Sequence, residues 1–150
     1  MRKIYETMAI SKFSTPTYDI FMSELKNVVA PDRIYTDELR TLGWGTDASF
    51  YRQIPKVVIR SDNEDEVCQI VKLCSKHQLP FTFRAAGTSL SGQSCSDSVL
   101  IVAGKHWEKY ELGENVDTIR LQPGIVGGGD GDSGGESKIG RAVQQECRDR

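Results

Sequence analysis

Twelve residues between two apolar runs, FRAAGTSLSGQS at 83–94, hold two glycines, four hydroxyls and one arginine. So little side-chain bulk leaves the backbone as the group able to act. Glycine permits close approach and positive φ. Successive N–H groups in a small-residue turn form a concave nest for anions. The diphosphate inside a dinucleotide carries about two negative charges, which such amides can hold without a lysine. Thr88, Ser89 and Ser91 add hydroxyl donors of little bulk. Two other readings stand beside this one. Gly87 and Gly92 have the P-loop spacing G-x-x-x-x-G-K-[ST], with Gln93 in the lysine position and Ser94 after it. A triphosphate site needs that lysine as a point charge, and the apolar strand that follows ends in glycine and Lys105 rather than in a magnesium-binding aspartate. The plain alternative is a tight Ser/Gly surface turn. The Rossmann pattern G-x-G-x-x-G does not occur at a strand-to-helix junction.

The flanking elements must position this loop. KVVIR (56–60) is short and β-branched, as a buried strand requires. SDNEDEVCQIVKLCSKHQLP then reads as a helix: Asn63 caps, Glu66 completes a capping box, and Val67, Ile70, Val71 and Cys74 share one face. Acids fill its first turn while Lys72, Lys76 and His77 lie near its end, matching the helix dipole. After Pro80, FTF (81–83) resumes as strand, giving a β-α-β unit whose strands should run parallel. SVLIVAG (98–104) reads as a buried strand, and the alternating TIRLQ (118–122) as a half-buried one before the Pro123-Gly124 turn. Upstream, 13–30 carries a helix signal with Thr15 and Pro16 at its start and Tyr18, Phe21, Met22 and Leu25 on one face. Ala30-Pro31 ends it, and a shorter helix is expected from Thr36 to Gly43. The segment 43–55 reads as a loop in which Trp44, Phe50 and Tyr51 pack.

Composition sets the bounds. A chain of 150 residues, 38% hydrophobic and 27% charged, reads as one soluble globular domain, or one domain with extensions, and can bury a real core. A net charge of −2 without a basic stripe argues against a nucleic-acid partner. No run reaches the length of a transmembrane segment, and the N-terminus lacks the apolar region of a secretory signal. Cys68, Cys74, Cys95 and Cys147 include no C-x-x-C pair, which argues against a metal site and favours reduced thiols in a cytoplasmic protein. His77 and His106 lie beside no acid or metal-ligand pattern in sequence and read as surface or partly packed residues. Seven of the 14 glycines fall between Gly127 and Gly140, so 127–150 reads as a flexible tail, with 141–150 able to form a frayed turn or two of helix.

The stretch from Pro55 to Gln93, followed by DSVLIV and IRLQPGIVGG, resembles the FAD-binding domain of the vanillyl-alcohol oxidase and p-cresol methylhydroxylase (PCMH) superfamily. Within it the chain is most similar to FAD-linked D-lactate dehydrogenase and glycolate oxidase subunits. The likeness covers about residues 13–128. The order of proline, strand, helix, strand, R-x-x-G-T-S-L-S-G, strand and L-Q-P-G carries it. The resemblance implies an α+β fold: the N-terminal half of a PCMH-type FAD-binding domain, with a small β-α-β unit, further strands and N-terminal helices. It divides the chain into an N-terminal helical extension (1–54), a first FAD-binding subdomain (55–126) and the glycine-rich tail (127–150).

The family's loop wraps the FAD diphosphate with main-chain amides, which implies cofactor contacts from Ala85, Ala86, Gly87, Thr88 and Ser89. Arg84 starts the loop, though the same arginine can equally serve as a structural partner of a neighbouring carboxylate. Gly92 and Gln93 continue the loop along the cofactor, and Pro123 and Gly124 fall where the family's chain passes near the flavin. Relatives that link flavin covalently use a histidine just after the loop's glycine. Thr88 stands here instead, so non-covalent FAD is expected. In an intact relative, hydride moves from the α-carbon of a small-molecule 2-hydroxy acid, of D-lactate or glycolate type, to the flavin; no residue here is assigned as catalytic base. After PGIVGG the family's second FAD-binding segment, with its G-P-D-P-like motif, and its cap domain are not matched. This points to a truncated chain that is inactive alone, and leaves room for a complementing chain. The rivals are a non-redox nucleotide-binding module with a degenerate phosphate loop, and an inactive gene remnant.

Overall fold

The structure, a computed structural model, describes residues 15–113 and 118–125. The expected tail, Cys147 and the start of the first helix lie outside the described residues. The chain forms two compact units, Met1–Gly104 and Lys105–Arg150.

In the first unit, helix α1 (Thr15–Leu25) leads through a turn to a 3-10 segment (Pro31–Arg33) and strand β1 (Ile34–Tyr35). Helix α2 (Glu38–Gly43) follows, then β2 (Val57–Ser61), α3 (Glu64–Lys76), β3 (Phe81–Arg84) and β4 (Val99–Ala103). The strands form one sheet in the order β1-β2-β4-β3. Strands β2 and β3 both run parallel to β4, with Val57 and Phe81 each opposite Val99, while β1 is antiparallel to β2. The β-α-β crossover therefore leaves a strand-wide gap that β4 fills. All five residues of VLIVA are buried, as an interior parallel strand requires.

Alternation along the strands builds the core on two faces. Val57, Ile59, Val99 and Ile101 meet Phe21 and Leu25 of α1 and Ile70 and Cys74 of α3. On the other face Val58, Leu100 and Val102 pack with Tyr35 and Trp44. Fully burying a side chain of the size of Phe21 or Leu25 contributes about 1.5–3 kcal/mol. The exposed Lys76–Glu24 pair between α1 and α3, at 2.7 Å, belongs to a class worth under about 1 kcal/mol, so apolar contact holds α1 in place. The Tyr18 hydroxyl meets Ser98 Oγ at 2.7 Å, tying α1 to the approach to β4, and burial raises its pKa.

Helix α3 starts as expected, with Asn63 Oδ1 accepting the Glu66 amide at 2.9 Å. Glu66 does not return to the cap residue. Its carboxylate accepts the Asp62 amide at 2.9 Å and pairs bidentately with Arg33 at 2.7 and 2.8 Å, which pulls its pKa down. The second short helix starts two residues later than expected, because Asp37 rather than Thr36 caps it. Cys68, Cys74 and Cys95 are free thiols, and burial pushes Cys74 up to about 11.

Two packing expectations fail. Phe50 and Tyr51 are exposed, and only Trp44 of the three aromatics joins the core. Their segment is held by main-chain hydrogen bonds and by Asp47, so it needs no buried ring. In the second unit, β5 (Tyr110–Leu112) pairs antiparallel with β6 (Ile119–Leu121). Strand β6 is exposed throughout rather than half-buried, since a two-stranded ribbon offers no second layer. No helix among the described residues is long and apolar enough to cross a membrane.

Candidate functional site

The loop Ala85–Ser98 joins neighbouring strands, leaving the edge strand β3 and returning into central β4. It contains bends and turns but no helix. A P-loop requires a helix opening after its second glycine. The degenerate phosphate-loop reading is therefore corrected: Gly92 leads to a turn, with the Cys95 amide donating to the Gly92 carbonyl at 3.2 Å.

Gly87 and Gly92 both adopt φ of +74°, the left-handed region that glycine enters without strain. Their surroundings differ. A Cβ at Gly87 would sit 2.6 Å from Cζ and 2.7 Å from Nε of Arg84. One at Gly92 would sit 2.9 Å from Cδ2 of Tyr51. Each glycine lets the loop rest directly on a side chain beneath it.

Among the described residues, no hydrogen bond takes up the main-chain amides of Ala85, Ala86, Gly87, Thr88 or Ser89. The carbonyl side is engaged, since the Ala48 amide donates to the Gly87 carbonyl at 3.0 Å. Downstream the loop folds around Ser89, whose Oγ accepts the amides of Ser91 and Gln93 at 3.2 Å and donates to Gln93 Oε1 at 2.9 Å. Gln93 thus has its side chain and amide engaged within the loop. The Thr88 side chain is exposed.

Arg84 is a strut. Its Nη1 donates to the carbonyls of Thr46 at 2.6 Å and Trp44 at 3.3 Å, and its Cζ lies 5.1 Å from the Trp44 ring centroid. Its partners are carbonyls rather than the neighbouring carboxylate that a structural arginine was expected to find. Its Nε is buried without a hydrogen-bond partner.

Sequence reasoning missed the segment Trp44–Gln53 as part of this region. Thr46 bridges antiparallel to Arg52, and the Gln53 amide donates to the Gly45 carbonyl at 3.0 Å. Asp47 turns the hairpin: Oδ1 accepts the Ser49 amide at 2.8 Å and the Ser49 hydroxyl, while Oδ2 accepts Ser94 Oγ at 3.0 Å. These donors hold its carboxyl down at about 2. The signal available was Asp-x-Ser, which favours such a turn, but nothing local points to Ser94. Tyr51, Arg52 and Gln53 line, with Ser91 and Gly92, an open depression of about 280 Å3 beside the loop.

Of the expected site residues, Arg84, Ala85, Ala86, Gly87, Thr88, Ser89, Gly92 and Gln93 lie in the first unit. Pro123 and Gly124 form a turn of the second, where the Gly124 amide donates to the Trp107 carbonyl at 2.8 Å. His77 is a partly packed residue, as expected, although an acid distant in sequence lies beside it. Its Nε2 meets Glu24 Oε2 at 3.3 Å and its ring stands edge-on to Phe21, so it is a packed residue joining α1 and α3. Lys76 and His77 together lower the Glu24 pKa.

The arrangement fits a diphosphate. Five amides without internal partners, two left-handed glycines and a cation beneath the turn suit an anion that approaches the backbone.

Comparison with known proteins follows the same line. Residues 55–129 match the family model described as FAD binding domain. The glycolate oxidase subunit GlcD of Bacillus subtilis is 31% identical over 106 residues, covering 69% of this chain and 23% of the relative. D-2-hydroxyglutarate dehydrogenase of Pseudomonas putida is 26% identical over 113 residues, covering 73% of this chain and 11% of the relative. The chain thus spans under a quarter of the length of these curated relatives. Among solved structures, 4-ethylphenol oxidase from Gulosibacter chungangensis superposes with a TM-score of 0.61 at 17% identity, covering 77% of this chain and 24% of that one. p-Cresol methylhydroxylase gives 0.58 at 12% identity, covering 67% and 21%. These likenesses show the fold, an α+β arrangement of PCMH type.

Proposed function

This chain belongs to the FAD-binding domain family, and on that premise we propose that loop 84–93 receives the diphosphate of FAD within a flavin-dependent oxidoreductase acting on a 2-hydroxy acid. The observation that carries the reading is the run of unengaged amides from Ala85 to Ser89 around the left-handed Gly87. The names of the relatives support the substrate class, since glycolate and D-2-hydroxyglutarate are both 2-hydroxy acids.

The roles of this chain's residues follow from the geometry. The amides of Ala85, Ala86, Gly87, Thr88 and Ser89 bind the diphosphate oxygens. Gly87 lets the chain turn without a Cβ meeting the Arg84 guanidinium, and Gly92 does the same over Tyr51. Ser89 holds Ser91 and Gln93 in a closed turn, so the loop keeps its shape without a ligand. When bound, FAD supplies the hydride-accepting ring system that side chains lack. Thr88 has no imidazole to offer, so the cofactor is held without a covalent bond.

Flavin fluorescence during FAD titration of the chain tests the reading. Weak, saturable binding without turnover of glycolate or D-lactate is expected, with all flavin released on denaturation. Lack of saturable binding, or flavin that stays with the denatured chain, removes the corresponding part. A second reading, the inactive remnant, draws on the exposed Phe50, Phe81, Phe83 and Leu90. Size-exclusion chromatography separates the two, since a sharp monomer peak that binds FAD excludes the remnant.

A further inference from the structure

We infer that the charge drawing the diphosphate to the loop is the guanidinium of Arg84, held beneath the Gly87 peptide and acting through it rather than by a direct bond. This rests on the reading of the loop as the diphosphate site and names how that site earns its affinity.

Three observations converge on it. First, the peptide lies against the cation: a Cβ at Gly87 would be 2.6 Å from Cζ of Arg84, so any other residue would lift the loop away. Second, the cation has no counter-ion among the described residues. Among the described residues no carboxylate pairs with Arg84, and Asp47, the acid of the adjoining hairpin, is engaged with Ser49 and Ser94. Third, its hydrogen bonding is incomplete, because Nη1 serves the carbonyls of Trp44 and Thr46 while Nε is buried without a partner. Two carbonyls and the Trp44 ring orient the guanidinium but leave its charge unneutralised. A partly buried charge without a counter-ion is costly to the fold. A dianion held by the amides of the Gly87 turn would lie close to this guanidinium and neutralise it.

In the P-loop pattern the cation follows the second glycine as a side chain reaching over the phosphates. Here it precedes the first glycine and lies below. It therefore recognises a diphosphate as such, and inorganic pyrophosphate should compete with FAD.

The test titrates the full chain and two variants, Arg84→Gln and Arg84→Lys, with FAD and with inorganic pyrophosphate over a range of salt. Circular dichroism verifies the fold of each. The wild type is expected to bind both probes. Arg84→Gln should weaken both by about tenfold or more, the scale of one charge at partial burial, and should flatten the salt dependence. Arg84→Lys, which keeps the charge and loses the fork, should stay within about threefold of wild type. A purely structural arginine predicts the opposite for salt: affinity falls while its salt dependence stays. Wild-type affinity and salt dependence in Arg84→Gln overturn the inference and leave the loop reading intact. Equal losses in both variants also overturn it, because the fork rather than the charge then matters. If Arg84→Gln does not fold, Arg84→Lys decides alone, a loss above tenfold counting against the inference. A wild type that binds neither probe removes the loop reading itself.

Discussion

The glycine loop 85–94 and the hairpin 44–53 lie against each other and engage their peptide groups differently. The loop leaves the amides of Ala85 to Ser89 without internal partners. The hairpin turns the carbonyls of Trp44 and Thr46 onto the Arg84 guanidinium and gives the Ala48 amide to the Gly87 carbonyl. One region presents donors; the other holds it in the shape that presents them. The proposed anion site thus has two parts, and the supporting part lies outside the loop that its two left-handed glycines mark.

Substituting Gly87 should break this division most severely. Alanine there meets both a left-handed φ and a guanidinium fixed by Thr46 and Trp44, which cannot retreat without losing its bonds. Gly87→Ala is expected to cost about 2–4 kcal/mol in urea denaturation and to abolish detectable FAD binding by fluorescence. Gly92→Ala has the same φ, but its obstacle is the ring of Tyr51, which is 62% exposed and can swing outward. About 1–2 kcal/mol is expected by the same measurement. A loss at Gly92 equal to that at Gly87 would show that φ alone, and not the strut, separates them.

The smallest and sharpest effect concerns Asp47. Hydrogen bonds from Ser49 and Ser94 hold its carboxyl at about 2, below the ordinary 3.8. Its ionised form therefore stabilises the folded chain fully above the ordinary value, and this contribution is lost as pH falls through the depressed one. Thermal melts of wild type and Asp47→Asn should differ at pH 7 and converge between about pH 4 and pH 2. A difference that persists undiminished at pH 2 would mean that the hairpin is held by its shape and not by this charge.

What was legible in the sequence was what neighbours in sequence determine. Helix α3 announced itself through Asn63, Glu66, Ile70 and Cys74, because caps and helical periodicity are local. VLIVA read as a buried strand because nothing in it tolerates solvent, but its place between β2 and β3 depends on pairings distant in sequence. The loop was legible through its two glycines, both of which take positive φ. The strut was not, since Arg84 bonds to carbonyls 38 and 40 residues away and any residue type can supply a carbonyl. The same holds for Glu66, whose i+3 spacing pointed to a capping box while its carboxylate meets Arg33 from 33 residues upstream. His77 found Glu24 across 53 positions, a pairing no spacing rule contains. Aromatic content misled at Phe50 and Tyr51, because a hairpin secured by main-chain bonds has no use for them as core.

The position of β4 between β2 and β3 also fixes an order of events as the chain emerges from synthesis. Until residue 103 is available, β2 and β3 flank an empty lane and have no common neighbour to pair with. The glycine turn connects β3 to the last-made strand of this sheet, so its two ends come together only when that lane is occupied. The shape of the proposed diphosphate loop is therefore a late acquisition, contingent on the strand that completes the sheet, and a nascent chain stopped before it has hydrophobic helices to bury but no closed loop.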